Sequence, residues 1–157
     1  AVATEPMSNP QLQELGLASG KPFYTIDFPY LWGRLLRTRG IVFGSGLVHL
    51  SDWREFAELD IATGKAADLI ARLELRVRDL HPTLKNVKFA QQWGGPILIS
   101  DGWRPVFSKH SRSSNVLVLG GYSGHGVALS VYLGRCAAEV MSARKVLPDW
   151  DSAQKNV

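Results

Sequence analysis

Residues 121–130 read Gly-Tyr-Ser-Gly-His-Gly-Val-Ala-Leu-Ser, and they constrain the fold because they separate two hydrophobic periods. The apolar run Val116–Leu119 before them predicts a strand, and the apolar-periodic stretch Val127–Met141 after them predicts a helix. Gly121, Gly124 and Gly126 therefore fall on a strand-to-helix turn with little side-chain bulk. Such a turn lets a ligand approach the backbone and meet the unpaired N–H groups of the first helical turn. Those groups carry about half a positive charge from the helix dipole, which suits an anionic or electron-rich ligand. The same glycines also suit a turn that serves only tight strand–helix packing, and spacing alone does not separate the two readings.

The rest of the chain predicts an α+β protein with a mainly antiparallel sheet, one mid-chain helix and the C-terminal helix. Residues 1–21 read as a turn-rich lead-in with one short helical stretch. Phe23–Phe28 has strand composition, and Leu31–Leu36 with Ile41–Phe43 reads as a hairpin turning through Arg37–Gly40. Asp52–Asp60 is polar and reads as irregular or helical. Thr63–Leu80 is the clearest helix, since Ala66, Ile70, Leu73, Val77 and Leu80 make one apolar stripe before His81-Pro82 stops it. Strands are expected at Val87–Gln92, Ile97–Ile99, Trp103–Phe107 and Val116–Leu119, with Lys109–Ser114 a polar loop. The last strand–turn–helix unit leaves room for one parallel element. Pro148 closes the final helix, and 149–157 reads as a tail.

With 157 residues, 45% of them hydrophobic and 20% charged, the chain has the makings of about one folded domain. The net charge of +4 is scattered rather than clustered, with Arg34, Arg37 and Arg39 the nearest to a basic run. That distribution argues against a nucleic-acid partner. The lone Cys136 forms no internal disulfide, fits a reducing (cytoplasmic) compartment and reads as a small core residue. No run reaches the roughly 18 apolar residues of a membrane helix, and no signal-peptide pattern opens the chain. The start, Ala-Val-Ala-Thr-Glu-Pro, reads as internal to a longer polypeptide, although Met removal would leave the same start.

Several chemistries are excluded by spacing. His49, His81, His110 and His125 form no i,i+4 or His-x-His pair, so no metal site is expected. Gly-Tyr-Ser-Gly-His misses the last glycine of a nucleophile elbow, which leaves Ser123 a poor nucleophile candidate. Neither a phosphate loop nor a complete G-x-G-x-x-G is present. Asp27 and Asp101 read as strand-edge and turn residues, and Trp32, Trp93 and Trp103 as core. Of the histidines, His125 alone lies in the glycine turn.

Trp93-Gly94-Gly95, then Ser100-Asp101-Gly102, then Gly120–Ala128 occur in an order that resembles the C-terminal portion of the FAD-dependent D-amino-acid-oxidase-like family. Within it the string is most similar to γ-glutamylputrescine oxidase, with glycine and sarcosine oxidases as further relatives. The hairpin Tyr30–Arg34 to Ile41–Gly44 is similar to the strand pair that precedes this region, and the likeness runs over about 22–145. The resemblance implies a substrate-domain-like sheet over 22–92 and a flavin-facing segment over 93–145. It implies that the backbone amides of Gly124, His125, Gly126 and Val127 meet the electron-rich edge of FAD. It implies oxidation of an amine or amino-acid substrate by hydride transfer to the flavin.

Two departures qualify those implications. The family's N-terminal Rossmann half is absent, so the isolated chain is expected to be inactive and not to retain FAD. The family's Arg-Pro pair before the Asp-Gly turn is replaced by Gly95-Pro96-Ile97, while Arg104-Pro105 lies after the turn. That pattern leaves an amine substrate open and weakens the case for a carboxylate. Cys136 does not match the family's position of covalent flavin attachment. A non-catalytic binding or assembly module and a small basic nucleic-acid-binding domain are the alternatives.

Overall fold

The structure is a computed structural model that describes residues 1–46, 52–95 and 97–147, without the side chains of Trp53 and Ser114. His49, Pro96, Pro148 and the tail 149–157 lie outside the described residues. The chain divides into two units, Ala1–Gly95 and Pro96–Val157.

The first unit is a five-stranded sheet with a helix packed on it. The strands are β1 (Val2–Thr4), β2 (Phe23–Tyr24), β3 (Trp32–Leu35), β4 (Ile41–Gly44) and β5 (Phe89–Gln92). Their order is β2-β3-β4-β1-β5, and every neighbour is antiparallel. Val2–Thr4, expected within a turn-rich lead-in, is thus an interior strand, with Val2 opposite Phe43 and Ala3 opposite Val42. All three residues are buried, so the strand shows no polar alternation by which to recognise it. The Thr4 hydroxyl is satisfied there: it donates to the Glu5 carbonyl at 2.8 Å and accepts from the Ile41 N–H at 3.0 Å.

The expected strand Phe23–Phe28 ends at Tyr24. From Thr25 the chain leaves the ladder, with the Thr25 N–H on the Leu31 carbonyl at 2.8 Å and the Leu31 N–H on the Thr25 hydroxyl at 2.9 Å. Pro29, joined to Phe28 by a cis peptide bond, has no N–H to continue a ladder. The hairpin β3–β4 forms as expected, with Trp32 opposite Gly44 and Leu35 opposite Ile41. Its left-handed residue is Arg39 at φ +69°, not Gly40. Gly40 is required for close approach, because a Cβ there would lie 2.6 Å from the Thr4 carbonyl oxygen.

Helix α1 (Asn9–Glu14) opens with a capping box in which Ser8 and Gln11 satisfy each other's N–H groups. Residues 53–58, in the segment expected to be irregular or helical, form a 3-10 helix that starts at Asp52. Helix α2 (Gly64–Asp79) turns Ile70, Leu73 and Val77 inward, as the stripe predicts, while Leu80 lies beyond its end and is exposed. These three join Val2, Met7, Leu12, Leu31, Ile41, Phe43 and Leu84 in one core. Burial of each such side chain stabilises the fold by roughly 2 kcal/mol.

The second unit is a hairpin and a helix: β6 (Val106–His110), β7 (Ser113–Gly120) and α3 (Gly126–Met141). Val106 pairs with Gly120 and Lys109 with Leu117 in an antiparallel ladder. Lys109–Ser114, expected as a loop, is mostly strand, and only residues 111–112 turn. Ile97–Ile99, expected as a strand, makes a single bridge from Ile99 to Tyr122. Phe107 and Leu133 are the buried apolar centres of this unit. All strand pairs among the described residues are antiparallel, so the parallel element left open by the sequence does not form. The α+β class with a mainly antiparallel sheet holds. The three tryptophans expected in the core are instead 44% (Trp32), 41% (Trp93) and 55% (Trp103) exposed. Trp32 lies across its glycine partner, its ring occupying the space where a Gly44 side chain would stand, which leaves its outer face to solvent.

Candidate functional site at the start of the C-terminal helix

The strand β7 ends at Gly120, and the next five residues reverse the backbone into α3. Gly121, Ser123 and Gly124 all adopt left-handed conformations, at φ +59°, +50° and +86°. Two of the three are glycine, the residue that takes this region without steric cost. A Cβ at Gly121 would stand 3.1 Å from the Ser100 Cβ and 3.3 Å from a Val106 methyl, so this position is tight as well as left-handed. A Cβ at Gly124 would meet nothing within 4 Å, which leaves that corner of the turn open. At Gly126 a Cβ would make an ordinary 3.4 Å contact with the Tyr122 ring.

The turn is held from below. The Ser123 N–H donates to the Leu98 carbonyl at 3.2 Å, and the His125 N–H donates to the Tyr122 carbonyl at 2.8 Å. The Ser123 hydroxyl accepts from the Ser100 N–H and donates to the Gly121 carbonyl, each at 3.3 Å. The Ser100 hydroxyl bonds the Gly121 carbonyl at 3.0 Å and the Arg104 carbonyl more closely still. The His125 ring is exposed and points Nδ1 at the Ser123 carbonyl, 3.1 Å away.

Helix α3 starts without a side-chain cap, since His125 places no acceptor on the first turn. Among the described residues, the N–H groups of Gly124, Gly126 and Val127 have no hydrogen-bond partner. Val127 is 94% exposed. Of the four amides singled out from the sequence, three therefore have no partner among the described residues, and that of His125 is engaged within the turn. Donors of this kind, aligned with a helix dipole, stabilise negative charge brought against them. Beside them, space for a Cβ at Gly124 is open, while the Tyr122 ring lies against Gly126.

The other candidate residues lie in ordinary structural roles. His81 and His110 accept backbone N–H groups through Nδ1, from Thr83 at 3.3 Å and Arg112 at 3.2 Å. Asp27 pairs with Arg76, and Asp101 is exposed at the start of a short 3-10 turn. Arg39 donates twice to the Met7 carbonyl, at 2.9 and 3.1 Å, while Arg34 and Arg37 are exposed. Cys136 is half-buried on α3 rather than fully in the core. Among the described residues no cluster of His, Cys, Asp or Glu is arranged for a metal ion, and no helix is long and apolar enough to cross a membrane. The Ser100–Ser123 pairing escaped sequence reasoning, because serines 23 positions apart carry no periodic signal.

A probable oxidoreductase, OrdL, of Rhizobium meliloti (strain 1021) is 34% identical over 73 residues, which is 46% of this chain and 17% of that protein. The OrdL of Haemophilus influenzae (strain ATCC 51907 / DSM 11121 / KW20 / Rd) is 36% identical over 74 residues, 47% of this chain and 17% of that protein. The matched stretch thus spans about a sixth of each relative's length. No solved structure matches the chain significantly. The family model described as FAD dependent oxidoreductase matches residues 1–140, nearly the whole chain, and the chain belongs to that family.

Proposed function

We propose that this chain is the C-terminal portion of an FAD-dependent oxidoreductase that oxidises an amine or an amino acid. The observation that carries the reading is the open corner of the glycine turn, where the amides of Gly124, Gly126 and Val127 have no partner among the described residues. FAD, when bound, supplies the acceptor for a hydride leaving a C–H bond next to nitrogen. The part of this chain is positional and electrostatic. The three amides hold negative charge at the helix start. An amine is favoured over an amino-acid carboxylate, since Arg104-Pro105 follows the Asp101-Gly102 turn instead of preceding it.

The Rossmann half that would seat the ADP portion of FAD is the partner this reading requires. The isolated 157 residues are expected to be inactive and to bind FAD weakly or not at all. The single cysteine suits a reducing, cytoplasmic setting.

The test compares the chain alone with a protein that carries a Rossmann half together with residues 1–157. The expected outcome is a flavin absorption band in the second sample only, bleached anaerobically by a substrate amine. Tight FAD binding by the chain alone, or no flavin band in either sample, contradicts the reading.

A further inference from the structure

We propose that Ser100 and Ser123 form a hydroxyl pair that positions the glycine turn, which makes Ser123 a positioning residue for the amides of Gly124, Gly126 and Val127. This rests on the reading that the turn faces the flavin.

Ser123 is 5% exposed and lies at φ +50°, between Gly121 and Gly124, which also hold positive φ. Glycine would take this conformation with less strain. Serine differs from its glycine neighbours by a hydroxymethyl group, and its hydroxyl is engaged on both sides.

The Ser100 hydroxyl lies within reach of the Arg104 and Gly121 carbonyls, the Ser123 hydroxyl within reach of the Gly121 carbonyl, and the two hydroxyl oxygens are 3.3 Å apart, where either can donate to the other. The Ser100 N–H then donates to the Ser123 oxygen, and the Ser123 N–H returns to Leu98. The Ser123 carbonyl takes Nδ1 of His125. Every polar atom of Ser123 is therefore bonded inside the protein, while the amides of Gly124, Gly126 and Val127 have no partner among the described residues. One residue anchors the backbone so that its successors present their N–H groups in a fixed direction. Beyond the bridge at Tyr122 and the backbone bonds of Ser123 and His125, this pair adds a side-chain restraint on residues 121–124.

The experiment uses Ser123→Gly, Ser100→Ala, the double variant and Ser100→Thr. Ser123→Gly removes the hydroxyl while easing the backbone. Ser100, at φ −90° and ψ 153°, accepts threonine without strain. Amide hydrogen exchange is read in the 157-residue chain, and FAD affinity and flavin midpoint potential in the flavin-loaded protein. The expected result is exchange about tenfold faster at the bonded amides of residues 100, 123 and 125, with the β6–β7 hairpin unchanged, and FAD affinity about tenfold weaker. The double variant is expected to be no worse than either single one, and Ser100→Thr to match the wild type.

Exchange that rises throughout the second unit, or nowhere, overturns the inference. So does a loosened turn with wild-type FAD affinity and potential. Those outcomes leave the flavin reading standing. A wild-type protein that holds no FAD overturns the flavin reading and this inference with it, whatever the exchange data show.

Discussion

Arg76 of α2 reaches Asp27 in the β2–β3 loop, its guanidinium 2.5 Å from the carboxylate. The same guanidinium donates to the Pro29 carbonyl, to the Ser45 hydroxyl at 2.9 Å and to the Thr25 hydroxyl at 3.4 Å. One side chain thus ties the loop to the helix and to the end of β4. The loop needs such a tie, because Ile26, Phe28 and Tyr30 on it are all more than half exposed. The expected effect of Arg76→Ala is a loss of about 1 to 2 kcal/mol in urea unfolding, with early proteolysis at residues 25–30. Asp27→Asn is expected to cost clearly less than Arg76→Ala, because that carboxylate faces solvent. Equal losses from the two variants would contradict the division.

The same carboxylate predicts a pH dependence. Hydrogen bonding from the Thr25 side chain, then from its own backbone, and the charge of Arg76 hold the Asp27 carboxyl below its ordinary value of 3.8. A depressed value in the folded state means that the contribution is present above the ordinary value and is lost as pH falls through the lowered one. Glu139 behaves likewise near the end of α3, where Lys145, then Arg135, hold it below 4.5. Carboxyl NMR titration is expected to place both midpoints below those values. Faster exchange in loop 25–30 is expected only below pH 3.8, and loosening already at pH 5 would contradict it.

Two glycines separate space from conformation. Gly40→Ala drives a Cβ against the Thr4 carbonyl and is expected to destabilise the first unit by about 2 to 3 kcal/mol. Gly124→Ala meets no neighbour but must hold φ +86°, so about 1 to 2 kcal/mol is expected in the second unit. Denaturation of both variants checks this. A larger loss at Gly124 would mean that the corner is not open.

Gly126→Val is expected to leave the chain folded, because the nearest contact of a Cβ there is an ordinary one. In the flavin-loaded protein the same change is expected to weaken FAD binding or slow flavin reduction, since under the proposed function it crowds an amide that meets the flavin. Wild-type spectra and turnover would count against the assigned role of the turn.

The elements read well from sequence are those whose pattern reflects a single buried face. Ile70, Leu73 and Val77 announced α2, and the glycines between Leu119 and Val127 announced the turn. β1 was illegible because three residues buried on both faces have no alternation. The Trp32 side chain was misjudged because its neighbour across the ladder, Gly44, is distant in sequence. Likewise, the glycine spacing marks where donors collect, but the pairing of Ser100 with Ser123 and the engagement of the His125 amide arise only once the chain has folded.

Val127→Asp tests the central claim most directly. Val127 is 94% exposed in the first turn of α3, where a carboxylate suits the helix dipole, so folding is preserved. The measurement is the flavin midpoint potential of the loaded Val127→Asp protein, with Val127→Asn as the uncharged control. The account predicts a potential lower by about 40 mV in the aspartate variant alone, from roughly 2 kcal/mol of repulsion in a protein-like dielectric. Potentials that match the wild type in both variants would show that the turn does not face the flavin.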